Sequence, residues 1–240
     1  MCTAILSALP EEQATLLEHL QHPQRQMHAG RAFWTGVLEG RCVVMALSGM
    51  GKVAAATTAT ALIERFAAAR IVFTGVAGGL GEGVRVGDLV VARDYLQHDM
   101  DASPLAPRWV VPGYREARMP CDAALSAQLW QAAQHCAATT GAGAHLGLIA
   151  SGDQFIASVE AAQRLHAALA LAGHEVLAVE MEGAAVAQVC ADYGVPFAAV
   201  RTISDRADDE AHVDFLHFVQ TVACRNADAV LRVFVQSLPK

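Results

Sequence analysis

The chain has 240 residues, of which 54% are hydrophobic and 17% charged, and it carries a formal net charge of −7. That balance is enough for the core of one large α/β domain and excludes a disordered chain. It also excludes nucleic acid and anionic membranes as expected partners, because no Lys/Arg cluster offers the basic patch that either requires.

Short β-rich runs alternate with longer helical patterns along the chain. Residues 3–8 read as a buried strand, and Pro10 suits the first turn of a helix over 11–20, where its missing N–H is no loss. Residues 32–38 and 41–47 flank Glu39-Gly40, a hairpin signal. The glycine loop Ser48-Gly49-Met50-Gly51-Lys52 leads into a helix from Val53 to about Phe66. A strand over 70–74 is followed by Gly75-Val76-Ala77-Gly78-Gly79, and a further strand spans 87–95. Residues 97–120, interrupted by Pro104, Pro107, Pro112 and Pro120, predict a long functional loop. Then come a helix over 123–138, a strand over 145–150, a helix over 159–170, a strand over 176–179 and a helix over 183–193. A strand over 196–203 and a closing helix over 215–238 complete the pattern. Strands alternating with helices predict a largely parallel sheet covered on both faces, and the hairpin makes it mixed. The expectation is a single α/β domain with a mixed central β-sheet flanked by helices.

The six cysteines are scattered without a C-x-x-C pair, so they suggest neither zinc nor a redox couple. The start, MCTAILSALPEE, lacks the basic region of a signal peptide, and no uncharged apolar run is long enough to span a bilayer. A cytoplasmic location is expected.

In α/β sheets, ligands sit outside the carboxyl ends of the strands, and every short motif of interest here lies at such an end. Gly49-x-Gly51-x-x-Ala54 fits a dinucleotide fingerprint, but the acidic residue that should end the following strand is missing at Phe73-Thr74-Gly75. A tight turn and a ligand-approaching loop both remain open there. Gly75-Val76-Ala77-Gly78-Gly79 reads as a set of turns or as backbone that approaches a bulky ligand. Phe155, in Ser151-Gly152-Asp153-Gln154-Phe155-Ile156, fits either a core position or a platform for a base, a stack worth ~1–3 kcal/mol. Glu180-Met181-Glu182 puts two carboxylates at the end of an apolar strand, where burial without partners is costly. One is accounted for by a helix dipole, and the other is free to grip vicinal hydroxyls. Asp205, just past the apolar run 197–203, is either a helix cap or a partly desolvated acid. Pro10-Glu11-Glu12 alone is ordinary first-turn chemistry. His98-Asp99-Met100-Asp101 lacks the histidine spacing of a zinc site and reads as a solvated loop, so no metal is expected.

Taken together and in order, these stretches resemble one family. ALPEE (8–12), SGMGKVAAA (48–56), TGVAGGL (74–80), SGDQFI (151–156), VEMEGAAVAQVC (179–190) and RTISD (201–205) look like those of the 5′-methylthioadenosine/S-adenosylhomocysteine nucleosidases, in the nucleoside phosphorylase superfamily. The resemblance implies hydrolysis of the N-glycosidic bond of 5′-substituted adenosines without a cofactor, by a homodimer. It implies that Glu12 activates the attacking water and that Asp205, with Ser204 beside it, protonates the purine. It places Glu182 on the ribose hydroxyls, Met181 against the sugar, Phe155 and Ile156 on the adenine, and Phe215 in the wall of the 5′-alkylthio pocket. Met50, Val76, Ala77, Gly78 and Glu180 complete the expected substrate-binding set. The chain departs from common family residues at Leu9, Met50 and Val76, and its segment 98–112 is its own. Related readings are a phosphorylase, a futalosine-type hydrolase, a dinucleotide-dependent oxidoreductase and a nucleoside-binding protein without turnover. The phosphorylases have a Gly-Asp-Pro-x-Arg loop near the first strand; here Leu9-Pro10-Glu11-Glu12 stands in that place, and a carboxylate would repel phosphate.

Overall fold

The computed structural model of the chain describes residues 1–206 and 218–239. Its strands are β1 (Thr3–Ser7), β2 (Gln21–His28), β3 (Arg31–Leu38), β4 (Arg41–Leu47), β5 (Arg70–Gly79), β6 (Leu89–Gln97), β7 (Met119–Pro120), β8 (Ala144–Ser151), β9 (Val176–Glu180) and β10 (Phe197–Asp205). The helices are α1 (Pro10–Glu18), α2 (Lys52–Glu64), α3 (Ala123–Thr140), α4 (Val159–Leu171), α5 (Gly183–Tyr193) and α6 (Cys224–Ser237), the last preceded by a π-helical turn over Val219–Ala223.

The strands form one mixed sheet in the order β10-β6-β8-β9-β5-β1-β4-β3-β2, with β7 beside β6. Because β10 also pairs with β5, the sheet curls shut on itself. Five strands (β5, β10, β6, β8 and β9) make a closed ring, and β1, β4, β3 and β2 extend from it as a tail. The expected mixed sheet flanked by helices is present, and it also closes on part of itself. The physical reason for the ring lies in β5, whose ten residues reach further than the sequence suggested. Its first half pairs with β1, and its last two residues, Gly78 and Gly79, meet Val179 and Ala178 of β9 antiparallel. So Gly75–Gly79 is strand, not a set of turns.

That corner positions the site. β5, β10, β1 and β4 run one way, while β6, β8 and β9 run the other. Since β5 and β9 touch only near their carboxyl ends, the carboxyl ends of both groups arrive at one place.

Two core layers lie on the faces of the sheet. Leu16 of α1, Leu125 and Leu129 of α3, and Val230, Leu231 and Phe234 of α6 pack on one face with Ile5, Met45 and Val72. Ala55, Ala59 and Leu62 of α2 and Ala184–Ala187 of α5 cover the other with Leu6, Val44 and Phe73. The alanine-rich faces let helices approach the sheet closely. Glu39 and Gly40 both take positive φ, 49° and 74°, as the tight β3–β4 hairpin turn requires.

Elsewhere, β2 carries no sequence signal at all. Its residues QHPQRQMH are exposed throughout, and the register shifts between Gln21 and Gln24, around Pro23, as suits an edge strand. The long segment after β6 is irregular, as expected, yet Trp109 and Val111 are buried in it and the Trp109 indole donates to the His98 carbonyl at 3.0 Å. His98 itself is buried and Asp99 pairs with Lys52, so this stretch is not the solvated loop expected from sequence.

Candidate active site

At the converging strand ends lies a cavity lined by residues of the first turn of α1, β5, β9 and β10 and by the segment around Phe155. Every sequence-nominated site residue within the described residues lines it. Phe215 lies outside them.

Glu12 enters from the first turn of α1. Pro10 starts that helix, and Glu12 folds back over its amino end: Oε2 accepts the N–H groups of Ala8 and Leu9, both at 2.8 Å. Oε1 accepts the Val76 N–H at 3.1 Å. Three of about four acceptor positions on a carboxylate are thereby filled, leaving about one for a ligand or water. Gly75 makes this possible, since a Cβ there would stand 2.5 Å from Arg201 Nη1 and 2.7 Å from Glu12 Oε1. Burial pushes the Glu12 pKa up against the opposing pull of Arg201 and the backbone N–H groups. That is the direction a general base needs to work near neutrality.

The two glutamates around Met181 divide their work. Glu180 is buried, and its oxygens are taken up by the Arg201 guanidinium, the Ser151 hydroxyl and the N–H groups of Glu182 (3.3 Å) and Gly183 (2.8 Å). It caps α5 and anchors Arg201. With its acceptor capacity used in this way, the Glu180 carboxylate serves the framework, while the residue lines the cavity. Glu182 accepts the Gly51 N–H on Oε1 at 2.8 Å, and Oε2 has no partner among the described residues. Burial and the nearby Glu180 raise its pKa to about 8.

Asp205 and Ser204 adjoin in sequence, so in a regular strand they would face opposite sides. The pairing of β10 with β5 skips a register step between Ile203 and Asp205, and both residues come to line the cavity. Such a bulge re-aims side chains. The Ser204 hydroxyl lies 2.6 Å from Asp205 Oδ2, with the Ala77 carbonyl at 3.4 Å as a second acceptor. Val76, Ala77 and Gly78 form the adjoining wall from β5.

Two apolar side chains stand at the mouth. Phe155 is 49% exposed and Met50 is 66% exposed, so neither is a core residue. Ile156 packs behind Phe155 against Val179, and Met181 lies between the two glutamates in the cavity wall. The turn before Phe155 needs Gly152 because the His98 imidazole lies directly beneath it.

Arg201 went unnoticed in the sequence. It is 1% exposed, ion-paired to Glu180, and its guanidinium carbon sits 3.9 Å from the Phe73 ring centroid. Burial pulls its pKa down, but Glu180, Tyr95, Glu182 and Glu12 more than offset this and hold it charged. A lone arginine inside the apolar strand FAAVRTISD was the available signal, since such a charge is rarely buried unpaired. The Gly49 loop is also reassigned. Its Gly51 N–H is engaged by Glu182 and the Lys52 N–H by Asp153, at 2.7 Å, so the amino end of α2 already holds protein carboxylates where a dinucleotide phosphate would bind. Among the described residues no group of three His, Cys, Asp or Glu is arranged to hold a metal ion, and no helix is long and apolar enough to cross a membrane.

If Glu182 titrates as its surroundings dictate, its protonated form stabilises the fold below the ordinary value of 4.5, and that contribution is lost as pH rises through about 8. The Glu182→Gln variant is expected to melt higher than the parent at about pH 9 and to lose most of that advantage near pH 5. A melting-temperature difference that stays constant over this range would show that Glu182 keeps its ordinary acidity.

The phosphorylase superfamily model matches residues 3–236. A 5′-methylthioadenosine/S-adenosylhomocysteine nucleosidase of Geobacillus thermodenitrificans is 39% identical, with both chains fully covered. The Neisseria meningitidis nucleosidase of the same name, solved with methylthio-immucillin-A, superposes with a TM-score of 0.91 at 35% identity, covering 99% of each chain. A futalosine hydrolase mutant of Helicobacter pylori gives a TM-score of 0.88 at 32% identity, covering 99% of this chain and all of that one. The chain therefore belongs to the 5′-methylthioadenosine/S-adenosylhomocysteine nucleosidase family of the phosphorylase superfamily.

Proposed function

We infer that the chain is an N-glycosyl hydrolase that cleaves 5′-substituted adenosines to adenine and a free 5-thioribose or deoxyribose product. The observation that carries this reading is the meeting of Glu12, Glu182 and Asp205, far apart in sequence, on one cavity.

Breaking a ribosyl–adenine bond builds positive charge on the sugar and negative charge on the base. Glu182, with Oε2 open to the cavity, accepts hydrogen bonds from the 2′ and 3′ hydroxyls and places anionic charge beside the forming cation. Asp205, kept in place by Ser204, donates a proton to the departing purine. Glu12 uses its remaining acceptor position to take a proton from water as the water attacks the anomeric carbon. Phe155 stacks on the adenine, with Ile156 along its edge, and Met181 shields the sugar from solvent. Each proton transfer is worth typically ~10²–10⁴-fold, and the fixed charges supply much of the rest.

Water fits the nucleophile's place better than phosphate does. No Lys or Arg lines the cavity among the described residues, and Arg201, beneath it, is committed to Glu180. A phosphate anion would meet Glu12 without a cation to hold it. The second reading, a futalosine-type hydrolase, is favoured by the likeness to the Helicobacter pylori enzyme and differs in the base, a 6-oxo purine. A homodimer and a cytoplasmic location belong to the same proposal. The dimer is supported by segment 98–112: none of it lines this chain's own cavity, and Leu105 at its tip is 93% exposed.

Adenine release from methylthioadenosine, adenosylhomocysteine and 5′-deoxyadenosine is expected at a rate indifferent to inorganic phosphate; a sugar 1-phosphate product would make the chain a phosphorylase, and preference for a 6-oxo purine would favour the second reading. Asp205→Asn is expected to lower kcat by about 10²–10⁴-fold with an unchanged melting temperature. Glu12→Gln should lose hydrolysis yet still bind nucleoside, and normal turnover in either variant would remove that residue from its role. Sedimentation as a monomer at assay concentration would remove the dimer.

A further inference from the structure

Beside the cavity, three charged residues that take no part in the chemistry close a ring. The Lys52 main-chain N–H donates to Asp153 Oδ1 at 2.7 Å. The Asp153 main-chain N–H donates to Asp99 Oδ2 at 2.9 Å. The Lys52 ammonium returns to Asp99 Oδ1 at 2.6 Å, and it also donates to Gln97 Oε1 at 3.1 Å. Gln97 in turn donates to Gln188 of α5 at 2.8 Å.

The ring ties the start of α2 to the end of β6 and the turn after β8, just beyond the last pair of the β6–β8 ladder, Gln97 with Ser151. Two of them face the ligand. Gly51, next to Lys52, has φ +94° and presents its N–H to Glu182. Asp153 is followed at once by Gln154, Phe155 and Ile156 of the cavity wall. The Lys52 side chain is only 16% exposed. An exposed ion pair contributes little. A mostly buried one with two side-chain acceptors leaves Asp99 uncompensated when it is broken, which is far more disruptive. Asp99 keeps its charge there because Lys52 and the Asp153 N–H outweigh the effect of burial on its carboxyl.

We propose that Lys52, Asp99 and Asp153 form a positioning clasp that fixes the Gly51 N–H on Glu182, and with it the grip of Glu182 on the ribose hydroxyls; this rests on the nucleosidase reading above. The clasp makes no contact with substrate. It acts through Gly51 on the orientation and ionisation of Glu182, whose other charged neighbours, Glu180, Arg201 and Glu12, are untouched by it.

The test is the pH profile of kcat/KM for methylthioadenosine in the parent, Lys52→Met, Lys52→Arg and Asp99→Asn, with circular dichroism to verify folding. Lys52→Met and Asp99→Asn are expected to lower kcat/KM by roughly 10–100-fold. Both should also move the acid limb to higher pH, because Glu182 loses a donor that favours its ionised form. Lys52→Arg should restore most of both effects. Asp99→Asn keeps the shape of the side chain and decides the matter should Lys52→Met not fold. Folded variants with the parent's kcat/KM, or with a lowered value on an unmoved acid limb, overturn the clasp while leaving the nucleosidase reading intact. A parent enzyme that releases no adenine overturns that reading, and the clasp falls with it.

Discussion

A guanidinium with almost no access to water sits under the cavity floor, and around it lie three carboxylates. Among the described residues Arg201 is ion-paired with Glu180 alone; Glu12 and Glu182 feel its charge at longer range. One cation cannot satisfy three buried anions, and desolvation resists leaving any of them charged and unpaired. The molecule's response is graded. Glu180 is fully bonded, Glu12 is held by three backbone N–H groups, and Glu182 keeps one oxygen without a partner among the described residues and is pushed toward protonation. The protein's own groups thus leave the site short of positive charge. A sugar becoming an oxocarbenium ion supplies it at the moment of bond breaking, so the same imbalance that burdens the resting protein favours the transition state.

Glycine-rich strand ends usually suggest phosphate cradles, and here they hold carboxylates instead. Gly51 serves Glu182, the residue after Gly75 serves Glu12, and Gly183 serves Glu180. The backbone donors that a nucleotide-binding loop would turn toward its ligand are turned toward the protein's own acids, fixing them before any substrate arrives. This preorganisation spares the reaction the reorganisation of solvent that free carboxylates would require.

Much of this was legible in the sequence. The alternation of strands and helices, the Glu39-Gly40 hairpin and the location of the motifs at strand ends come from periodicity and turn chemistry, which are local. What was not legible depends on distant pairing. β2 has an exposed, polar composition and exists because β3 offers it an edge. The strand character of Gly75–Gly79 requires β10 and β9 as partners. Glu12 looked like a plain first-turn acid because nothing in Pro10-Glu11-Glu12 reveals that β5 passes over it. Glu180 and Glu182 are equivalent as text, and only the place of Arg201 separates the bonded one from the open one. The bulge that turns Ser204 and Asp205 to the same side leaves no local trace at all.

The closed ring of strands has a bearing on how the protein breathes. Within β5, β10, β6, β8 and β9 each strand has a neighbour on both sides, so none can peel away singly, whereas β2 has one neighbour and full exposure. Amide exchange at the catalytic floor should then follow whole-molecule opening, and exchange in β2 should follow edge fraying with a far smaller opening free energy. Heat or denaturant would fray β2 while the walls around the carboxylates stay shut, and enzymatic competence would outlast the first visible loss of structure.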